Sequence, residues 1–248
     1  MSKNLFEYVQ ENDRDSFFCS LFTGRNYHNL LPLYSFNIDI TNIVYSASDS
    51  MTILVKLRWW KEKIDSSFQE DSTNLDSSLI AELVNLIREA KIPKTLFDKY
   101  FDGMEQFVLL RPYKSLETLV GIAKNTTVSL IKMLCIVLGG ANNINLYDDF
   151  ANPVGISWNL MNNLRNERKV HLQNRTLIPQ DLLEAAAISI YDLGKRERGE
   201  MVSEVVKIIV EKIEMFCAHH PVKFDPLLEI GRLVAKNRTN GKFIEEAF

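Results

Sequence analysis

The apolar residues of this chain recur every three or four positions over long segments, and that spacing restricts the fold more than any other feature. Between Val202 and Phe216 the series Val202, Val205, Val206, Ile209, Ile213 and Phe216 falls on one face of an α-helix. The same period runs through 30–43, 51–64, 79–87, 116–138 and 182–193, and no convincing apolar–polar alternation competes with it. Glycine is scarce, ten in 248 residues, against an average usage of about 7%. Those present cluster at expected helix ends such as Gly139-Gly140, Gly194 and Gly199. Asn152-Pro153 reads as an N-cap followed by proline at the first helical position, and Pro179 with Asp181 repeats the device. The polar run DSSFQEDSTNLDSS at 65–78 reads as a connector between helices whose flanks are too short for separate cores. The expectation is an all-α fold of roughly eight to ten helices, one domain over 1–248, without solenoid repeats.

Composition narrows the function classes. An apolar fraction of 46% with 25% charged residues is the ordinary globular balance. A net charge of −3 supplies no basic field, so no nucleic-acid partner is expected. Cys19, Cys135 and Cys217 are odd in number, far apart and set in apolar stretches, the pattern of reduced, buried thiols. The opening MSKNLFEYVQENDRD has no apolar run after a basic start and carries acids that transit peptides avoid, so a cytoplasmic location is expected. The apolar stretch around 130–138 is interrupted by Lys132 and reads as too short to cross a bilayer. Any membrane contact is then peripheral, at the inner membrane surface.

One stretch carries more information than periodicity. GISWNLMNNLRNERKVHLQNRTLIP, residues 155–179, resembles the signature of head-to-head prenyl synthases, G-I-A-x-Q-L-T-N-I-x-R-D-x-x-x-D followed by G-R-x-Y-L-P. Without gaps it matches at Gly155, Ile156, Leu160, Asn162, Arg165, Arg175 and Pro179, and approximately at Ser157, Asn159, Leu177 and Ile178. Upstream, LPLYSFNIDITNIV at 31–44 resembles the family's first aspartate-rich helix, and LRWWKEKID at 57–65 its tryptophan-containing helix. SLETLVGIAKNTTVSLIKMLCIVLG at 115–139 is similar to the segment ending in L-G. The squalene and phytoene synthase family is thus resembled in the right order over most of the chain, which implies an isoprenoid-synthase-like helical bundle.

The departures from the family pattern fall on its chemistry. Resemblance implies two aspartate-rich motifs on facing helices, binding magnesium ions that hold prenyl diphosphates. Here the first motif's aspartates fall on Thr41, Asn42 and Tyr45, and the second pair on Asn166 and Val170. Magnesium wants hard, usually anionic oxygen ligands. Asn42 and Asn166 offer neutral carbonyl oxygens, while Tyr45 and Val170 offer nothing comparable. Asp39 stands two residues before Thr41, about 200° around a helix, and Glu167 about 100° from Asn166. The terpene-cyclase pattern N-x-x-x-S-x-x-x-E, started at Asn162, meets Asn166 and then Val170.

A subgroup that also lacks these aspartates is closer. CSLF at 19–22, SFNIDI at 35–40, WWKEK at 59–63 and AKNTTVSLI at 123–131 resemble the squalene/phytoene synthase-like assembly factors of mitochondrial complex I. That resemblance implies a noncatalytic binding or assembly factor for respiratory NADH dehydrogenase, with a protein partner in a membrane complex and an isoprenoid or lipid as a further ligand. The alternative is a magnesium-dependent prenyltransferase condensing isoprenoid diphosphates. Expected site residues are Thr41, Asn42, Asn162, Arg165, Asn166 and Arg175, as a degenerate diphosphate site without catalytic residues, metal or cofactor. Magnesium enters only under the alternative. Tyr34, Phe36, Trp59 and Trp158 are expected at a cavity or partner surface, with core packing as the rival reading, and Trp60 is expected in the core. Arg168 and Lys169 fit either an anion contact or a solvated helix end. CAHHP at 217–221 lacks the second ligand cluster that structural zinc needs. His28 and His171 have no evident catalytic partner, and no phosphate-binding loop or nucleophile elbow occurs.

Overall fold

Helix ends follow side-chain capping chemistry. In the computed structural model, Asp13 caps a helix by accepting from the Ser16 N–H at 3.0 Å. Asp49 does the same for Thr52 at 2.8 Å, and Ser115 caps through Thr118. The structure describes residues 4–46, 49–69, 78–109, 112–140, 147–171, 176–193 and 199–218. Among these, eleven α-helices occur, more than the periodicity predicts. They are α1 (Leu5–Asn12), α2 (Arg14–Leu21), α3 (Tyr27–Ser46), α4 (Ser50–Ser67), α5 (Ser78–Ala90) and α6 (Lys94–Leu109), followed by α7 (Leu116–Asn125), α8 (Thr127–Gly139), α9 (Asp148–His171), α10 (Gln180–Ala185) and α11 (Gly199–Ala218). No strand occurs among the described residues.

Three boundaries differ from the sequence reading. The 116–138 segment is divided at Thr126, whose φ of −89° and ψ of −87° leave the helical region. Its hydroxyl donates to the Ile122 carbonyl at 2.9 Å, the back-bonding by threonine that bends helices. Pro153 lies inside α9, which starts earlier at Asp148 with two acids in its first turn. The 182–193 helix stops at Ala185: Ala187 takes φ of 53°, and the Ile188 N–H reaches the Leu183 carbonyl at 2.9 Å. Of the 65–78 connector, residues 65–67 belong to α4, and 70–77 lie outside the described residues.

α3 is central, packing against α1, α2, α4, α5, α8 and α9, while α9 is sandwiched among α7, α8 and α11. One contiguous apolar cluster links all these helices. Its aromatic hub is Phe36, with ring centroids 5.3 to 5.9 Å from Trp60, Phe97, Tyr100 and Phe101. The 116–139 segment, taken whole, is long and apolar enough to cross a membrane by length and composition, unlike the shorter stretch considered alone. Half of its apolar window is buried against the rest of the chain.

Two glycines let helices close on the Thr126 break. A Cβ on Gly155 would lie 2.7 Å from the backbone of Val128, and one on Gly103 would lie 2.6 Å from the Thr126 methyl. Backbone cannot yield as a flexible side chain can. Gly155→Ala is therefore expected to destabilise the fold by about 1 to 3 kcal/mol through overpacking, read as a lowered urea midpoint.

Candidate functional site

The face of α3 that carries Asn37, Thr41 and Tyr45 looks across a cavity of about 440 Å³ toward the face of α9 that carries Asn159, Asn162 and Asn166. Helical geometry brings each trio to one side, since the members stand three or four residues apart. The Thr126–Thr127 break forms the floor, and Asn12 with Asp13, from the α1–α2 corner, closes one flank. Of the expected diphosphate-site residues, Thr41, Asn42, Asn162, Arg165 and Asn166 all line this one cavity. Arg175 lies outside the described residues.

Carboxamides organise the lining. Tyr45 donates to Asn163 Oδ1 at 3.2 Å, Asn163 Nδ2 to Asn159 Oδ1 at 3.1 Å, and Asn159 Nδ2 to Thr127 Oγ1 at 3.0 Å. Tyr100 donates to Asn37 Oδ1 at 2.8 Å, and Asn166 Nδ2 to the Asn162 carbonyl at 2.8 Å. Each charged member is held by a partner behind the lining. Arg165 forms an ion pair with Asp15 at 2.6 Å and reaches Asn162 Oδ1 at 3.4 Å. Asp13, the one carboxylate among the described lining residues, holds the Ser16 N–H and hydroxyl. Burial raises its pKa above the ordinary carboxylate value, and the two Ser16 bonds work against that rise.

This donor set does not fit a magnesium cluster. Neither neighbouring acid replaces the missing ligands. Asp39 accepts the Tyr8 hydroxyl and tethers α1 to α3. Glu167 is buried on the far flank of α9, where it accepts Thr176 Oγ1 and the Leu177 N–H, each at 2.7 Å. Val170 packs in the core and does not line the cavity. Among the described residues no group of three His, Cys, Asp or Glu side chains is placed to hold a metal ion.

A second, apolar chamber of about 90 Å³, the arm, adjoins the cavity between α2, α3, α8 and α9, with Asn37, Thr127, Leu130 and Trp158 lining both. Tyr34, Cys19 and Cys135 line the arm. The two thiols are partly buried, where full burial is the sequence expectation, and the side chain of Cys217 lies outside the description. Burial, reinforced by Asp15 and Asp13, pushes the Cys19 thiol up to about 11. Phe36 corrects an expectation: it lines neither chamber, because it stands about 100° around α3 from Asn37 and points into the aromatic hub. Trp59 is 46% exposed on the outer side of α4, away from the cavity, beneath Lys63 Nζ at 5.6 Å from its ring centroid. Trp60 is buried. The side chains of Arg168 and Lys169, and most of CAHHP, lie outside the description. His28 lies against Tyr27, and His171 Nδ1 is buried without a hydrogen-bond partner.

The sequence profile described as squalene/phytoene synthase matches residues 9–219, most of the chain. The protein belongs to the squalene/phytoene synthase family. Over 215 residues it is 21% identical to a Bos taurus protein and 22% identical to a Mus musculus protein, both named NADH dehydrogenase (ubiquinone) complex I, assembly factor 6. Each match covers 86% of this chain and 63% of the relative, so the chain spans less than two thirds of those proteins' length. The fold is similar to that of squalene synthase HpnC from Alicyclobacillus acidocaldarius, with a TM-score of 0.65 at 14% identity over 94% of this chain and 90% of that one. This family member is all-α with an isoprenoid-synthase fold.

Several lining residues are absent from the expected set of site residues. Asn37 and Asn159 had a detectable signal, since each shares a helical face with a named candidate. Asp13, and Asp15 behind the lining, had none, because Asp15 and Arg165 are 150 residues apart. Removing the Glu167 carboxylate in this squalene/phytoene synthase relative strands two buried donors. Glu167→Ala is expected to cost about 2 to 3 kcal/mol and Glu167→Gln about 1 kcal/mol, in urea unfolding. The raised thiol pKa of Cys19 favours the protonated form in the folded state. Its contribution is present below the unfolded value near 9 and is lost as pH rises to about 11. Native iodoacetamide labelling of Cys19 at pH 8 should therefore be far slower than in urea and should accelerate between pH 9 and 11 by mass spectrometry.

Proposed function

We propose that this chain is a noncatalytic squalene/phytoene synthase-type protein that acts as a binding or assembly factor for a membrane-bound NADH dehydrogenase, complex I. It works from the cytoplasm with peripheral contact to the inner membrane. One observation carries the reading. The positions that the family resemblance assigns to magnesium-binding aspartates hold none, and four of the five converge on a cavity whose described lining has a single, internally bonded carboxylate. Metal stabilisation of a leaving group is worth several kcal/mol. With about 1.36 kcal/mol per tenfold in rate, losing both clusters costs roughly three or more powers of ten. The assembly-factor names of the relatives support the partner, and fold alone does not set it.

Met51, Val55 and Trp59, at 67%, 62% and 46% exposure, form a stripe at four-residue spacing on the outer face of α4. We assign this stripe to partner contact. Purified protein is expected to leave farnesyl and geranylgeranyl diphosphate unconsumed in millimolar magnesium, and cells lacking the gene to accumulate several-fold less assembled NADH dehydrogenase. Trp59→Ser should rescue that assembly poorly while remaining folded. Magnesium-dependent turnover by the wild-type chain sinks the noncatalytic reading in favour of a prenyltransferase. Unchanged NADH dehydrogenase assembly in the deletion sinks the assembly reading.

A further inference from the structure

The cavity has lost its metal ligands without filling in, and its remaining chemistry specifies what fits. Six asparagine carboxamides and three threonine hydroxyls line the larger chamber. These groups donate and accept hydrogen bonds without carrying charge. The described charges offer no free cation, because Arg165 is taken by Asp15 and the other charged lining residue is the carboxylate of Asp13. An incoming diphosphate would meet an engaged guanidinium and a like charge, with no carboxylate cluster to recruit a cation. A neutral head meets hydrogen-bond partners and gives up far less hydration on entry.

The second chamber fixes the other end of the ligand. Leu30, Ile131, Leu134, Leu138 and Val154 wall the arm, which is too narrow for a second head and suits the end of a short apolar chain. Asn37, Thr127, Leu130 and Trp158 line both chambers, so the two adjoin and a single ligand with a head and a tail would span them. The walls of both belong to rigid helices, so the site is largely formed before any ligand arrives.

We infer that this two-chambered cavity binds an uncharged amphiphile, its hydrogen-bonding head among the asparagines between α3 and α9 and its apolar tail in the arm between α2, α3, α8 and α9. The inference rests on the noncatalytic reading and adds the ligand class. A prenyl alcohol and a sugar-headed lipid share this chemistry, and the probes separate them.

Titration calorimetry of the full chain with geraniol, octyl glucoside and geranyl diphosphate, with and without magnesium, tests it. At least one neutral probe should bind at least tenfold more tightly than the diphosphate, with magnesium making no difference. Tighter geraniol assigns an alcohol-type head, and tighter octyl glucoside a sugar-type head. Leu134→Trp, which fills the arm, should weaken the neutral probe at least tenfold. Asp15→Asn, which releases Arg165, should narrow the gap between geraniol and geranyl diphosphate several-fold. The inference is overturned if neither neutral probe binds, or if the diphosphate binds as tightly as either. Tight diphosphate binding without turnover overturns this ligand class alone, whereas magnesium-dependent turnover overturns the noncatalytic reading with it.

Discussion

The break at Thr126 is the constraint on which the rest of the interior depends. α6 and α9 each pack against both α7 and α8, and so meet the chain on either side of the break. Thr126 diverts its hydroxyl to the Ile122 carbonyl and turns the axis. Gly103 and Gly155 then admit their neighbours at distances that no Cβ tolerates. The outcome is chemical as well as mechanical. The bend exposes Thr126 and Thr127 at the cavity floor, where Asn159 reaches both hydroxyls, at 3.4 and 3.0 Å. Helix packing and the polar lining are thus two aspects of one backbone deviation.

At Asn42 and Asn166, a carboxamide where the family pattern has a carboxylate changes the electrostatics more than the shape. Asparagine is nearly isosteric with aspartate, so a cavity that accepted one accepts the other. A cluster of aspartates repels itself and requires a cation; a carboxamide bonds to neutral neighbours, as Asn166 does to the Asn162 carbonyl and as the chain from Tyr45 through Asn163 and Asn159 to Thr127 does. Such a lining is stable without metal. The same reasoning explains the acids that remain. Glu167 and Asp39 each serve a tether between chain segments, and Asp13 caps α2.

Much of this architecture is legible in the sequence, and the exceptions share a cause. Long amphipathic periods such as 202–216 report helices directly, because a buried stripe needs a 3.6-residue repeat. The end of α10 was not readable, because Ala187 takes the left-handed conformation where glycine or asparagine would ordinarily announce it; Lys91 does the same after α5. The bend at Thr126 was hidden because apolar period continues through it. At the cavity, residues three or four apart on α3 and α9 were readable as faces, whereas the Asp15–Arg165 pair depends on how the α1–α2 corner folds back over α9. Phe36 illustrates the limit of motif reading: it adjoins Asn37 in sequence, and a single helical step sends it to the aromatic hub.

A cavity without the carboxylates of the family pattern is under physical pressure to close, since empty space forfeits dispersion contacts and larger apolar side chains would recover them. One position is filled: Val170, where the family pattern has an acid, is packed into the core. The remaining lining took another course, retaining about 440 Å³ bounded by side chains of high hydrogen-bonding capacity. Polar space of that size holds water when nothing else is present. On the ligand class inferred above, a molecule with one wet end and one dry end displaces that water, the wet end from among the asparagines and the dry end in the apolar arm.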